Sequence, residues 1–299
     1  MSSAEHHTPT ESGDESRRFL FEQADIRGET AHLNLAYREI LAIHQYSAGV
    51  SRLLGEFLAA AVLLSTNLKF EGRLILQVRS QGQIPLLMVE CDHNLYVRGI
   101  ARGAEHAISN DDEELLRNGQ LAITIDPTNG QRYQGIVPLQ QGAFANSLDA
   151  YFEQSEQLKT RIWLAADGHQ AGGLLLQELP PQLSKDESQR QQHWEHLCAL
   201  AATVHTQELL ALHSEQLLHR LYHADPIRMF SPREIRFRCT CSRERTIGAL
   251  ATLNPTELQE ILDEMGSIIM ECEFCNQAFQ FTSEDLTAVL GHDFSKTLH

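Results

Sequence analysis

The 299-residue chain has few basic residues, few aromatic residues and no long uninterrupted apolar run. Its 24 Lys and Arg face 40 Asp and Glu, whereas general affinity for nucleic acid depends on a basic surface. The longest apolar stretch, Leu53–Leu64, contains Gly55 and Glu56 and is shorter than the ~20 residues that cross a bilayer. We therefore expect no nucleic acid and no membrane among its partners, and a buried helix at this stretch.

Several functional signatures are also missing from the sequence. Residues 1–18 lack the basic-then-apolar order of a secretory signal, so we expect a cytoplasmic protein. The chain has no G-x-x-x-x-G-K-[ST] phosphate loop and no H-E-x-x-H motif. Glu56, Glu90, Asp92 and Asp126 do not show the spacing of paired catalytic carboxylates. These absences argue against an ATPase and a hydrolase, and we expect a protein that is not an enzyme.

Four of the six cysteines form two close pairs near the C-terminus. Cys239 and Cys241 lie in C-T-C, and Cys272 and Cys275 lie in C-E-F-C. Soft thiolates are preferred zinc ligands, and four of them complete the closed tetrahedron of a structural site. In extended backbone, residues i and i+2 point to the same face, so both sulfurs of the first pair can reach one metal. We predict one zinc ion per chain on these four thiolates, with no open position for a hydrolytic water.

The single residue between Cys239 and Cys241 departs from the C-x2-4-C spacing that zinc ribbons usually use. An oxidised C-x-C pair closes a very small ring, which we expect to be strained and easy to reduce. From the residues alone, a permanent structural zinc site and a reversible redox switch both stay open. Five arginines surround the first pair and can either contact phosphate or offset the charge of four thiolates, and we favour the second role: Arg233, Arg236, Arg238, Arg243 and Arg245.

Apolar periodicity predicts an α+β fold for the first part of the chain. Leu35–Leu68 has helical spacing and predicts a helical hairpin broken near Tyr46–Gly49. Phe144–Gln154 also predicts a helix, and Asp126–Gly130 predicts a hairpin turn. Short apolar runs separated by turn residues predict an antiparallel meander with strands at Leu74–Val78, Leu86–Cys91, Leu95–Gly99, Leu121–Ile125, Tyr133–Val137, Thr160–Ala165 and Ala171–Leu179.

The composition changes after Pro180 and Pro181 to a polar stretch and then to a long helical pattern that ends before Asp225. An apolar stripe runs from Trp194 to Leu221, so the stability of this segment depends on docking. Composition alone favours a helical bundle packed permanently on the first domain over a detachable linker. We predict four regions: a disordered polar tail at 1–18, a mixed α/β domain with an antiparallel sheet at 19–183, a helical linker at 184–230 and a small C-terminal zinc-binding domain at 231–299.

The remaining candidates for chemistry are weaker. Cys91 lies in an apolar strand pattern and Cys198 in the helical linker, where a free cysteine usually behaves as a small buried hydrophobe. His219 and His223 share a helix face but have no third ligand, so we interpret them as solvated polar positions. We expect none of these four residues to belong to the site.

The sequence resembles the heat-shock protein 33 family of redox-regulated holdase chaperones. Cys239, Cys241, Cys272 and Cys275 occupy the family motif of C-x-C, a spacer of about thirty residues and C-x-x-C. Residues Met1–Ser16 show none of the family's signatures, so the resemblance implies no role for them. Further stretches look like family signatures: Val89–Asp92, Ile123–Pro127, Gly130–Val137, Tyr151–Gln157 and Phe274.

The resemblance implies a redox switch. In the reduced state, Cys239, Cys241, Cys272 and Cys275 hold zinc and the monomer is inactive. Peroxide with mild unfolding, or hypochlorite, then converts Cys272 with Cys275 and Cys239 with Cys241 to disulfides and releases the zinc. The linker loosens, and the protein binds unfolding clients without ATP, as a homodimer that passes clients to ATP-dependent chaperones.

Two other classes of protein fit the cysteines less well. A thiol oxidoreductase is expected to place C-x-x-C at a helix start in a thioredoxin-like context, and Ile268–Glu271 precede Cys272 instead. A zinc-ribbon nucleic-acid protein needs a basic face, but Ser231–His299 has six Lys or Arg against eleven Asp or Glu. The chaperone is the stronger hypothesis.

Overall fold

The computed structural model describes residues 13–66, 71–156 and 158–291. The chain forms two compact units, Met1–Arg238 and Cys239–His299. The strands are β1 (Glu15–Phe21), β2 (Ile26–Leu33), β3 (Gly72–Arg79), β4 (Leu86–Asp92), β5 (Tyr96–Arg102), β6 (Gln120–Pro127), β7 (Tyr133–Pro138), β8 (Thr160–Ala166), β9 (Ala171–Glu178), β10 (Ile227–Met229), β11 (Arg233–Glu234), β12 (Arg236–Phe237), β13 (Ile268–Glu271) and β14 (Ala278–Phe281). The helices are α1 (Leu35–Leu41), α2 (Ala48–Ser65), α3 (Asp112–Leu115), α4 (Phe144–Tyr151), α5 (Glu187–Ala201), α6 (Thr206–Ala211), α7 (Ser214–Tyr222), α8 (Arg243–Leu250), α9 (Pro255–Met265) and α10 (Ser283–Gly291), and a π-helical turn follows α4 at Phe152–Glu156.

The first unit contains two sheets, A and B. Sheet A has the order β10-β1-β2-β9-β8, and β11 also pairs with β1. All of its pairings are antiparallel. Gly28 of β2 lies under the ring of Phe19 on β1, where a Cβ would come within 2.0 Å of the ring. This position therefore requires glycine.

Sheet B has the order β12-β5-β4-β3-β6-β7. The short strand β12 pairs with β5 in parallel, and the other pairings are antiparallel. Helix α2 contacts strands of both sheets. It is long and apolar enough to cross a bilayer, but 89% of its apolar window is buried inside the fold. The buried helix expected at Leu53–Leu64 is confirmed.

The second unit consists of the antiparallel hairpin β13–β14 with helices α8, α9 and α10. Among the residues of this unit whose burial the structure describes, the apolar cluster has six buried members: Leu250, Leu258, Leu262, Ile268, Phe281 and Leu286. Helix α9 begins at Pro255 after the N-cap Asn254, whose side chain accepts from Thr256 N–H, and ends at Gly266 in the left-handed conformation. A proline at the first position of a helix and a glycine just past its last position are the usual signals for its start and its end.

The α+β fold with antiparallel sheets is confirmed, as are the strands predicted from Leu74 to Leu179 and the helix beginning at Phe144. The predicted helical hairpin is α1 and α2, although residues 67 and 68 of the prediction lie outside the described residues. The predicted domain boundaries stay predictions.

One expectation was wrong at the start of the chain. Residues 1–12 of the predicted polar tail lie outside the described residues, but Glu15–Arg18 belong to β1. The polar side chains of Glu15, Ser16 and Arg17 are buried and have partners. For example, Ser16 Oγ donates to Glu29 Oε1 at 2.6 Å. A strand of buried polar residues has no apolar alternation, so periodicity does not reveal it.

The helical linker expected at 184–230 consists of the three helices α5, α6 and α7. Helix α5 ends at Ala201, and the N–H of His205 then donates to Glu208 Oε2 at 2.9 Å. A side chain that bonds back to the residue before a helix starts a new helix there. The apolar stripe continues through these breaks and hides them from a periodicity analysis.

Candidate metal centre

The first cysteine pair lies between β12 and α8. Ser242 Oγ accepts from Arg245 N–H and caps α8. The Arg245 guanidinium in turn donates to Thr240 O at 3.1 Å and to Thr240 Oγ1 at 3.0 Å. Thr240 is the residue between Cys239 and Cys241, so the first turn of α8 fixes the backbone that carries both sulfurs.

The second pair occupies the turn between β13 and β14. Cys275 N–H and Asn276 N–H both donate to Cys272 O, at 3.2 and 2.7 Å, and Cys272 N–H donates to Gln277 O at 3.0 Å. Asn276 has a φ of 56°, a left-handed conformation that asparagine tolerates better than most residues. This tight turn holds Cys272 and Cys275 on the same side of the hairpin.

The four cysteine sulfurs converge. All of them lie within 4.8 Å of one another. The distance from Cys239 Sγ to Cys272 Sγ is 3.6 Å, and the distance from Cys241 Sγ to Cys275 Sγ is 3.4 Å. A tetrahedron of thiolates with metal–sulfur bonds of 2.3 Å places its sulfurs about 3.8 Å apart. The donor set therefore fits a four-coordinate metal ion.

The electrostatics of the cluster also favour a cation at its centre. Burial and the neighbouring thiols Cys275 and Cys239 raise the pKa of Cys241. Burial likewise raises the pKa of Cys272, and the thiol of Cys239 adds to this effect. Because thiolates this close repel one another, the four sulfurs ionise together only when a cation offsets their charge, and metal binding then displaces their protons.

The arginines predicted to surround the first pair have defined partners. Arg243 pairs with Asp285 at 2.8 Å and lies over the Phe281 ring. In the first unit, Arg236 pairs with Glu234 and Arg238 lies over the Tyr96 ring, and Arg233 donates to His93 O. Arg245 bonds to the residue between the two cysteines. The proposed offset of thiolate charge stays a prediction.

The other two cysteines belong to the first unit, whereas the cluster belongs to the second. Cys91 is fully buried in β4, and Cys198 is half-buried on α5. Burial raises the pKa of both thiols to about 12, so both stay protonated and unreactive at neutral pH. The rings of His219 and His223 lie 6.2 Å apart. Within 13–66, 71–156 and 158–291, the four C-terminal cysteines are the one metal-competent group of His, Cys, Asp or Glu.

The linker helices dock on sheet A through an apolar cluster in the first unit. Phe19 and Phe21 of β1 and Leu174 and Leu176 of β9 contribute the sheet side. The rings of Phe21 and Tyr222 meet edge to face with centroids 5.0 Å apart. The helices contribute Trp194, Leu197, Ala201, Leu209, Leu210, Leu217, Leu218, Leu221 and Tyr222. This is the docking surface that the apolar stripe predicted.

A buried polar network, which the sequence analysis missed, adds to this docking. Ser214 Oγ donates to Glu15 Oε1 at 2.9 Å and accepts from Thr30 Oγ1 at 2.9 Å. At the edge of this network the buried Arg17 pairs with the exposed Glu215, with Nη1 and Oε1 2.5 Å apart. These five residues form the polar network. Glu15 and Arg17 are almost two hundred residues from their partners Ser214 and Glu215 along the chain, so no local sequence motif marks the network.

Comparison with known proteins decides the family. The sequence model of the Hsp33 protein family matches residues 14–282. The 33 kDa chaperonin of Pseudomonas aeruginosa strain UCBPP-PA14 is 49% identical over 276 residues, which cover 91% of this chain and 93% of the relative. This chain belongs to the Hsp33 family. The 33 kDa chaperonin of Azotobacter vinelandii is 50% identical over 276 residues with the same coverage.

The fold agrees with this Hsp33 assignment. The crystal structure of the 33 kDa chaperonin of Thermotoga maritima, an Hsp33 homologue, matches with a TM-score of 0.76 at 21% identity. The match covers 93% of this chain and 98% of the other. Hsp33 is a family of chaperones, so this Hsp33 is a chaperone and not an enzyme, and its partners are unfolded client proteins.

Proposed function

We propose that this Hsp33 is an ATP-independent holdase that is inactive when reduced and active when oxidised. In the reduced state, Cys239, Cys241, Cys272 and Cys275 hold one zinc ion per chain. The observation that supports this proposal is the convergence of their four sulfurs within 4.8 Å of one another. Zinc suits an all-thiolate tetrahedron, and when bound it supplies a crosslink between the two cysteine pairs.

On oxidation, each close pair forms a disulfide, Cys239 with Cys241 and Cys272 with Cys275, as the family resemblance implies. Formation of each disulfide removes two electrons from two thiolates. One hypochlorous acid molecule per disulfide accepts them and becomes chloride and hydroxide, or one hydrogen peroxide molecule becomes two hydroxide ions. With all four thiolates consumed, the cysteines no longer bind zinc, and a thiol reductant reverses both reactions.

Loss of the metal site affects the linker because a short covalent segment, β10 to β12, connects the two. Strand β12 ends at Phe237, directly before the residues that lead into Cys239. Strands β10, β11 and β12 contain three, two and two residues, so few backbone hydrogen bonds hold this segment to the sheets. Such elements open at low free-energy cost. We propose that the strands of this segment unpair from the sheets one after another, from β12 next to Cys239 towards β10, and that this releases α7.

Release of the linker helices then uncovers the client surface. Phe19, Phe21, Leu174 and Leu176 are at most 5% exposed while the linker is docked. When the linker helices leave, these four residues form a contiguous apolar face on sheet A, which is the kind of surface that binds unfolding chains. The buried polar network must break at the same time, so docking is specific but reversible.

The test measures client protection and zinc release in the same samples. A chemically unfolded client is diluted into zinc-loaded reduced protein or into hypochlorite-treated protein, while a chromogenic chelator reports free zinc. We expect suppression of aggregation only after treatment, with one zinc released per chain and reversal by thiol. Equal activity in both states, or zinc that stays bound after oxidation, would contradict the redox switch.

We also propose that the oxidised protein is a homodimer, that it passes clients to ATP-dependent chaperones, and that it acts in the cytoplasm. The lack of a phosphate-loop motif supports a chaperone that does not use ATP itself. Light scattering of oxidised and reduced protein over a range of concentrations tests the dimer, and a monomer under both conditions would contradict it.

A further inference from the structure

Helix α7 of the linker lies in a groove of the first unit, between α5 and sheet A, which we call the α7 groove. The ring of Tyr222 meets the rings of Phe21 and Phe19 on β1, with centroids 5.0 and 6.4 Å away. On the other wall, Tyr222 Oη donates to Leu197 O of α5 at 3.4 Å. The buried residues of α7 form one face of the helix: Ser214, Leu217, Leu218, Leu221 and Tyr222. The groove therefore already holds an amphipathic helix.

The α7 groove has a polar end and an apolar end. The odd-numbered residues of β1 face the linker, with Glu15 and Arg17 at the polar end and the two phenylalanines at the apolar end. Ser214, the first residue of α7, bonds to Glu15, and the exposed Glu215 pairs with Arg17. The groove thus matches the first turn of a helix that carries a hydroxyl group followed by a carboxylate.

Arg17 is the charge that α7 leaves behind. The residue is only 6% exposed, and among the described residues its Nε has no hydrogen-bond partner. The carboxylate of Glu215 pairs with its Nη1. When α7 leaves, the guanidinium loses this carboxylate, so a new occupant that brings a carboxylate to the same place restores the pair.

The α5 wall of the groove is held by bonds of its own. Arg190 of α5 pairs with Glu178 of β9 at 2.7 Å. Just before α5, the carboxylate of Asp25 accepts three successive backbone N–H groups: those of Gln182, Leu183 and Ser184. Neither contact involves the cysteines or the polar network. Unpairing that starts at β12 reaches α7 first, so α5 keeps its place when α7 leaves.

We propose that the emptied α7 groove binds an amphipathic helical segment of an unfolding client in the place of α7. The segment carries Ser or Thr at its first position, Asp or Glu at its second, and apolar residues at its fourth, fifth, eighth and ninth. Carboxylates are favoured in the first turn of helices, so proteins that unfold with helices still formed present this pattern. The proposal rests on the chaperone function proposed above and names the conformation and the charge of the bound segment.

The probe is the sequence of residues 213–223 as a separate peptide, acetyl-His-Ser-Glu-Gln-Leu-Leu-His-Arg-Leu-Tyr-His-amide. It is added to hypochlorite-treated protein from which the oxidant has been removed. We expect saturable binding by calorimetry and competition with an unfolded client. The zinc-loaded reduced protein should bind the peptide about tenfold more weakly or less, because its own α7 fills the groove at a high effective concentration. Equal binding in both states, or no binding in either, would overturn the proposal.

Three further peptides test the helical conformation. A side-chain crosslink between positions 216 and 220, both exposed in α7, should raise the affinity about tenfold, because less conformational entropy is lost on binding. His219→Pro breaks the helix at an exposed position and should lower the affinity by at least as much. Exchange of Gln216 with Leu217 and of Arg220 with Leu221 keeps the composition but removes the apolar face, and it should abolish binding. A proline peptide that binds like the parent peptide would contradict a helical occupant.

A double-mutant cycle tests the charge. Glu215→Gln in the peptide should weaken binding to the unchanged protein several-fold and should have no effect on binding to the Arg17→Gln protein. Arg38→Gln, at an exposed position of α1, is the control protein and should keep the full effect of the peptide change. If Arg17→Gln does not fold, the unchanged protein decides, because Glu215→Gln in the peptide must then weaken binding more than Arg220→Gln does.

The outcomes separate this proposal from the redox switch. Client protection after oxidation without binding of the α7 peptide would reject the α7 groove as the client site and keep the switch. Peptide binding by the treated protein without client protection would reject the chaperone function proposed for the oxidised state and keep the groove as a helix site. Effects of Glu215→Gln that are equal with the Arg17→Gln protein and the unchanged protein would reject the role of Arg17.

Discussion

At the scale of single residues, the cysteine sulfurs carry the proposed switch. Cys272→Ser removes one of four ligands, so zinc affinity should fall and the second unit should loosen without oxidant. We expect substoichiometric zinc in the purified variant and partial client protection in the reduced state. Cys198→Ala is the control, because Cys198 is not among the four cysteines of the cluster and its substitution should leave the zinc content unchanged. Full zinc occupancy in Cys272→Ser would exclude Cys272 from the site.

Glu56 gives a second prediction at this scale. Burial is the largest cause that raises its pKa from 4.5 to about 7, and Asp112 adds to it, while Arg52 opposes it. The folded state therefore binds more protons than the unfolded state between pH 4.5 and 7. The free energy of unfolding should fall as pH rises through that window, by at most about 3 kcal/mol from this residue.

Urea unfolding at pH 5 and pH 8, followed by the fluorescence of Trp163 and Trp194, measures this effect. Both tryptophans lie in the first unit, so the signal reports that unit. In Glu56→Gln the difference in unfolding free energy between the two pH values should shift towards greater relative stability at pH 8. Glu39→Gln, an exposed carboxylate on α1, should keep the wild-type difference. An unchanged difference in Glu56→Gln would contradict the assignment.

At the scale of elements, the polar network sets how firmly the linker docks. Ser214→Ala leaves the buried Glu15 carboxylate and Thr30 hydroxyl without this partner, which costs about 1–3 kcal/mol. We expect faster hydrogen exchange in α7 and easier proteolysis in 184–230 while zinc stays bound. Ser188→Ala, at an exposed position of α5, should change neither. Wild-type exchange in Ser214→Ala would mean that apolar packing alone holds the helix.

The sequence predicted those elements whose local pattern matches their environment. Strands β3, β4 and β9 are rich in apolar residues, and α2 is a nearly continuous apolar helix. Strand β1 escaped prediction because its buried residues Glu15, Ser16 and Arg17 are polar and gain their partners only from distant parts of the chain. The same cause hid the polar network, since tertiary hydrogen bonds leave no periodic signal.

The candidate metal site was more accessible to sequence analysis than the linker. Cysteines at C-x-C and C-x-x-C spacing constrain one another locally, and the structure brings all four together. The separation of the linker into α5, α6 and α7 depends on backbone bonds at His205 and on docking, which spacing alone does not encode. The position of β8 at an edge of sheet A was not predictable, because only the strand order shows which strand lies there.

At the scale of the whole molecule, the two units differ in how much core supports them. In the described part of the second unit the buried apolar cluster has six members, whereas the first unit has two much larger clusters. A unit with so small a core usually needs a metal or a crosslink to fold. Calorimetry of the zinc-loaded protein should therefore show a transition of the second unit that disappears with a chelator, while the transition of the first unit persists.

The control for this experiment is the tryptophan fluorescence of the first unit, which should report nearly the same midpoint with and without chelator. Readdition of zinc should restore the lost transition. A chelated protein that keeps both transitions would mean that the second unit folds without metal.

The short strands after the linker close one edge of each sheet. Strands β10 and β11 pair with β1 of sheet A, and β12 pairs with β5 of sheet B. Loss of these pairings would thus leave two unpaired strand edges at once, β1 in sheet A and β5 in sheet B. Two unpaired strand edges on one molecule can both be covered in a closed homodimer, in which each copy pairs with the edges of the other. A second copy and a client segment would then compete for the same backbone groups.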